Sequence, residues 1–195
     1  AKQAASVAVL SGNRFSFGVG VSPWPDDYRI MGVPWEKRGR RMDEMIDIVR
    51  GLTRGGFFGY EGEVHHLEPI AICPVPTKPI PILVGGHAEP ALRRAVSKGD
   101  GWMHAGGDAE TLSKLIGRIR QLRRELGRQD DPFEIHVISL DAFSADGVKR
   151  LEDQGVTDVI VGFRNAYAME RDTQTLDEKI AALLAYAERV IAKLR

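Results

Sequence analysis

The sequence predicts a parallel α/β fold, built either as a doubly wound open sheet or as a (β/α)8 barrel. Three observations predict it. Five strand-length runs, four of them clearly apolar, alternate with helix-period patterns. The run Pro79–Val84, PIPILV, is apolar throughout, as a strand buried on both faces must be. Glycine-rich turns follow three of the runs. A full barrel takes about 250 residues, and this chain has 195. The expectation for a barrel is therefore five units, with the first three strands missing from this chain. Those strands would come from elsewhere, since five barrel strands alone leave two unpaired sheet edges.

The elements follow from periodicity and punctuation. Small and apolar residues at 1, 4, 5, 8 and 9 recur at helical spacing, and Gly12 ends the run as a C-cap would. Residues 14–21, RFSFGVGV, read as a short strand, and Pro23-Trp24-Pro25 breaks regular structure. From Trp35 to about Arg54 a helix is expected, with Met42, Met45, Ile46, Val49 and Leu52 as its buried stripe and Arg38, Arg40, Arg41 and Arg50 mostly on the wet face. Residues 55–79 read as an insertion: a hairpin turning at Glu61-Gly62, then a proline-rich extended connection. The alternation resumes with the strand at 79–84, a helix at 89–98 closed by Gly99, and a brief strand at 101–104. Asp108 caps a helix carrying Leu112, Leu115, Ile116, Ile119, Leu122 and Leu126 inward. A strand at 133–140 precedes a short helix capped by Ser144, and a last strand spans 157–163. The final helix opens with the capping box Thr175–Glu178 and turns Ile180, Leu183, Leu184, Ala187, Val190, Ile191 and Leu194 inward. Residues 1–195 thus read as one partial barrel domain.

Composition narrows the function. Lys plus Arg and Asp plus Glu are 27 each, so the net charge is zero. No general attraction to nucleic acid or to an anionic membrane follows, and the apolar runs are far too short to span a bilayer. AKQAASVAVLSG is not a secretory signal, and the single cysteine, Cys73, excludes an internal disulfide. A cytoplasmic setting is expected, with Cys73 as a small apolar filler.

In either architecture ligands bind where strands run into helices. Three such loops are rich in glycine: Gly18-Val-Gly20-Val-Ser22, Gly85-Gly86-His87 and Ala105-Gly106-Gly107-Asp108. One such loop is no more than a tight turn. Three at one end favour a phosphate or a flat ring, which glycine lets approach the backbone at helix N-termini. The dinucleotide fingerprint is absent, because Gly18-x-Gly20 leads into Ser22-Pro23. Walker, HExxH and GxSxG motifs are absent too. His65 and His66 face opposite sides of a strand, so no metal site is expected. His87 and His104 lie at strand ends and can donate to a cofactor, whereas His136 reads as a satisfied histidine in mid-strand. Arg164, after Val161-Gly-Phe163, is placed to meet an anion.

Several blocks carry a resemblance. AKQAASVAVLSGNRFSFGVG (1–20), GVPWEKRGRRMDE (32–44), ILVGGHAEPALRRA (82–95) and GDGW (99–102) closely resemble those of luciferase-like monooxygenases and deazaflavin-dependent oxidoreductases. The resemblance implies a luciferase-like (β/α)8 TIM barrel that binds coenzyme F420 or FMN and exchanges hydride between that ring and an organic substrate. Carried over, Gly85, Gly86 and His87, with Ala105, Gly106 and Gly107, hold the phosphate side, and Gly20 and Ser22 lie beside the ring. Trp24, His104 and Arg164 are the candidate substrate residues. Catalytic groups on the first strands have no counterpart in this chain. A homodimer acting on a small molecule is expected. A non-catalytic barrel remnant serving as a binding protein or subunit is the alternative. Gly86→Glu is expected to abolish cofactor binding without unfolding, provided that residue 86 keeps a negative φ.

Overall fold

A computed structural model describes residues 1–164 and 170–194. The chain forms two compact units, Ala1–Met103 with Arg118–Phe133, and His104–Gly117 with Glu134–Arg195. Among the described residues, no helix is long and apolar enough to cross a membrane.

The first unit contains α1 (Lys2–Leu10), β1 (Phe17–Val19), α2 (Pro25–Ile30), α3 (Arg38–Thr53), the hairpin strands β2 (Phe58–Glu61) and β3 (His66–Ile70), β4 (Ile82–Gly85), α4 (Glu89–Lys98) and β5 (Gly101–Met103). It also takes the C-terminal part of α5 (Ala109–Glu125). β1 pairs in parallel with β4, Phe17 opposite Ile82, and β4 pairs in parallel with β5, Leu83 opposite Gly101. β4 is buried on both faces: Ile82, Leu83 and Val84 are each 3% exposed or less. The parallel strands of this unit lie side by side in chain order. A barrel requires that order, whereas a doubly wound sheet reverses it at a switch point. α1 seats Ala4 and Ala8 on Ile80, with Phe15 and Phe17 packed beside them.

The second unit contains β6 (Glu134–Ile138), a 3-10 turn at Leu140–Phe143, α6 (Ala145–Asp153), β7 (Asp158–Ile160) and α7 (Leu176–Arg189), with β6 and β7 parallel. The expected caps form: Ser144 accepts the Gly147 N–H, and Thr175 and Glu178 make a complete capping box. Tyr186 donates its hydroxyl to the Ala142 carbonyl at 2.9 Å, within an aromatic cluster with Phe143 and Phe163.

Five expectations need correction. The prolines at 23 and 25 do not leave a plain break, because Pro25 opens the short helix α2, where its missing N–H is harmless. Met45 is 46% exposed, while Glu44 beside it is 1% exposed. Cys73 is exposed rather than a filler, since its connecting segment runs over the surface. The α7 stripe is buried only in part: Val190 is buried as expected, but Leu183 and Leu184 are 55% and 60% exposed, and Ile180, Ile191 and Leu194 are exposed too. Periodicity marks an apolar face, but burial needs a closely packed opposing surface, and Leu183, Ile191 and Leu194 instead line an open pocket with Val148, Val159, Val161 and Phe163. Leu126, at the end of its own stripe, is exposed as well.

Charged side chains join α3 to its neighbours. Arg94 pairs with Asp43 and donates to the Gly39 carbonyl, and Lys98 pairs with Asp47 at 2.7 Å. The Glu44 carboxylate accepts the backbone N–H groups of Glu63, Val64 and His65, so the hairpin turn wraps around it. Burial pushes this carboxyl up, but the three backbone donors and the His65 side chain outweigh that and hold its pKa at about 2, against an ordinary 4.5. A carboxylate with a depressed folded-state pKa stabilises the fold fully above 4.5, and the contribution is lost as pH falls towards 2. Glu44→Gln is therefore expected to lower the melting temperature at pH 7, with the gap from the parent closing between pH 4.5 and 2. Melts of both proteins across that range check this. A gap independent of pH would mean that the carboxylate charge does not hold the hairpin.

Candidate functional site

The first unit builds a turn with unusual backbone demands at the end of β4. Gly86 has φ +124°, and a Cβ there would lie 2.9 Å from the Ala91 Cβ of α4. Only glycine satisfies both constraints. The turn is held from behind, because the buried Trp102 donates its indole N–H to the Gly86 carbonyl at 2.8 Å. His87 is half-buried, its ring 6.2 Å from that of Trp102. Ala88, the N-cap of α4, provides no side-chain acceptor. The nearby Glu89 carboxylate is met by Arg118 and Arg93, and its pKa is lowered by the Arg118 hydrogen bond first of all. An uncapped helix N-terminus behind a glycine turn, its one local carboxylate neutralised, suits a phosphate. The chain therefore fits the phosphate-bearing cofactors that the sequence suggests.

The loop after β5 is less suited to that role. Gly106 and Gly107 have φ +98° and +140°, but Asp108 caps α5 itself, accepting the Thr111 N–H at 2.7 Å. Its carboxyl pKa is lowered, mainly by that backbone donor. A fixed negative charge thus occupies the N-terminus where an anion was expected. His104 is buried in the second unit, its Nδ1 3.2 Å from the Ile138 carbonyl. Arg164 donates to the Glu170 carbonyl and lies 3.8 Å from Asp172, so its own loop engages it. His136 is satisfied, as the sequence suggests, though by charged neighbours: Glu134 at 2.8 Å and Asp158 at 3.2 Å.

At the end of β1 lies a cavity of about 310 Å³, lined by Gly20, Val21 and Ser22 together with residues of α2 and α3. Ser22 hydrogen-bonds the Asp27 carboxylate through its hydroxyl, which also accepts the Trp24 N–H at 3.1 Å. It therefore shapes the loop as well as the cavity wall. Trp24 is 62% exposed and lies outside the lining. Sequence reading missed most of the remaining wall, which includes Tyr28, Met31, Val33, Arg38, Arg41, Met42 and Met45. The available signal was two methionines beside two arginines in the opening turns of a helix, next to a proline-bounded loop. Read by period alone, they divide into core and solvent.

The luciferase-like monooxygenase family model matches residues 1–189. Rv0940c, an uncharacterized protein of Mycobacterium tuberculosis H37Rv, is 60% identical over 194 residues, covering 100% of this chain and 67% of its own length. The coenzyme F420-dependent tetrahydromethanopterin reductase of Methanopyrus kandleri superposes with TM-score 0.69 at 15% identity, covering 98% of this chain and 78% of the reductase. An F420-dependent secondary alcohol dehydrogenase, solved with an F420–acetone adduct, superposes with TM-score 0.63 at 18% identity, covering 77% of this chain. This chain spans 48% of that enzyme's length, about half.

The Gly86 backbone rules out glutamate at that position as a clean probe, since any side chain strains the turn before charge matters. Gly20 is the better position, because no atom lies within 4 Å of a Cβ built there. Gly86→Ala is expected to destabilise by about 1–3 kcal/mol, a fall in melting temperature of roughly 2–12 °C at about 2–4 °C per kcal/mol. Gly20→Ala should melt with the parent. Thermal melts of the three proteins decide, and equal melting of Gly86→Ala and parent would refute the strained turn.

Proposed function

Because this chain belongs to the luciferase-like monooxygenase family, matched across residues 1–189, we propose that it binds coenzyme F420, with FMN as the alternative, and exchanges hydride between that ring and an organic substrate. The observation that carries the reading is the glycine turn of β4 ahead of an uncapped α4 N-terminus. Similarity to two F420-dependent enzymes favours the deazaflavin over FMN.

When bound, the cofactor ring supplies the two-electron hydride chemistry. The chain's own part is binding and positioning. Backbone N–H groups at Gly85, Gly86 and His87 and the dipole of α4 hold the phosphate. Trp102 keeps the turn in place through the Gly86 carbonyl. Gly20, without a side chain, admits a flat ring against the backbone at the end of β1. The adjoining cavity, with its mostly apolar wall, receives the substrate.

Fluorescence titration of the purified full-length protein with F420 and with FMN tests the proposal. F420 is expected to bind more tightly than FMN. Gly20→Glu should weaken binding at least tenfold with an unchanged melt, by bulk and by repulsion of the anionic cofactor. Failure of both cofactors to bind the folded parent would overturn the proposal in favour of a non-catalytic binding protein.

A further inference from the structure

The cavity at the end of β1 combines an apolar body with a cationic edge. Val21, Met31, Met42 and Met45 supply apolar wall, and Arg38 and Arg41 border it. Both arginines are half-buried. Arg38 stacks over the Trp35 ring, 3.6 Å from its centroid, and Trp35 in turn packs edge-on against Tyr28 at 5.0 Å. Stacking fixes the guanidinium plane and leaves its N–H edge for an in-plane acceptor. Arg41 donates to the Pro34 carbonyl at 2.8 Å. Arg29, Arg50, Arg94, Arg118 and Arg150 all pair with carboxylates. Among the described residues, Arg38 and Arg41 do not. Asp27, the carboxylate in the lining, is hydrogen-bonded to the Ser22 hydroxyl.

We infer that this cavity takes an amphiphilic anion, its apolar body among the methionines and its carboxylate or phosphate end against Arg38 and Arg41. At about 30 Å³ per water-sized group, the volume suits a body of roughly ten non-hydrogen atoms. Assigning that molecule as the substrate rests on the proposed function. The same anionic chemistry also occurs on the cofactor's phosphate side, so the test must separate the two sources.

Octanoate, octanol, F420 and FMN are titrated separately into the purified protein by calorimetry, octanoate without cofactor present. Octanoate is expected to bind at least tenfold more tightly than octanol. Arg38→Gln/Arg41→Gln should reduce octanoate affinity at least tenfold and leave cofactor affinity unchanged. Should the double variant melt early, Met45→Glu, at a part-exposed wall position, provides the second probe and should exclude octanoate by charge. Equal binding of octanoate and octanol, or no binding of octanoate to the parent, overturns the inference. So does a double variant that loses cofactor and keeps octanoate. A protein that binds octanoate but neither cofactor would reject the hydride-transfer reading and leave the anion site standing.

Discussion

The first unit depends on how one short segment, Gly99–Trp102, grips β4 at both ends. The Asp100 carboxylate accepts the Ile82 N–H at 2.8 Å, while the Asp100 N–H returns to the Ile82 carbonyl, also at 2.8 Å. The same carboxylate binds Arg50 of α3, whose guanidinium also reaches the Lys98 carbonyl. Two residues on, Trp102 holds the Gly86 carbonyl. Gly99 makes the close approach possible, since a Cβ there would meet the Ala95, Gly101 and Ile82 carbonyl oxygens at 2.7–3.2 Å. Each of these groups would be costly to bury unpaired, at about 1–3 kcal/mol. Position and register of β4 follow together, and so does the turn proposed to hold the cofactor. The GDGW block, which together with residues 82–95 carries the most specific resemblance in the sequence, is thus a structural clamp that acts on the proposed site through the backbone of β4.

A second constraint is electrostatic. The chain is neutral overall, but its charges are not spread evenly into solvent. α3 carries Asp43, Asp47 and Arg50 to α4 and to Asp100, and it places Glu44 inside the hairpin turn. Those pairs join side chain to side chain and lie partly open to solvent, which screens them. Glu44 differs, because its charge is buried and met by three backbone donors. The hairpin is therefore docked by a carboxylate as well as by the Phe58 ring, which packs on Gly51 of α3. Arg38 and Arg41, which border the β1 cavity, have no carboxylate partner among the described residues.

Much of this was legible in the residues. Caps at Ser144, Thr175 and Asp108 are local, set by side chains within three residues of the N–H groups they satisfy, so sequence reading places them correctly. The full burial of β4 was legible in its unbroken apolar run. Met45 and the α7 leucines were not, because a helical period reports a face and not what lies opposite it. The Gly86 φ was also hidden: Gly-Gly marks a turn but leaves the sign of φ open. For the α5 loop the residues were visible and their competition was not. Asp108 reads equally well as a helix cap and as a neighbour of a phosphate site, yet one set of N–H groups cannot serve both.

By itself, the sequence determined the alternation of strands and helices and the punctuation between them. These are properties of neighbouring residues and of chain topology. Tertiary structure alone decided the rest. It brought Asp100 and Trp102 onto β4 and its turn, 18 and 16 residues along the chain from their partners, placed Glu44 in a turn 19–21 residues away, and made one cavity from three separate segments. No local period encodes such meetings. They form because a buried donor or acceptor must find a partner, and only the folded chain determines which one is within reach.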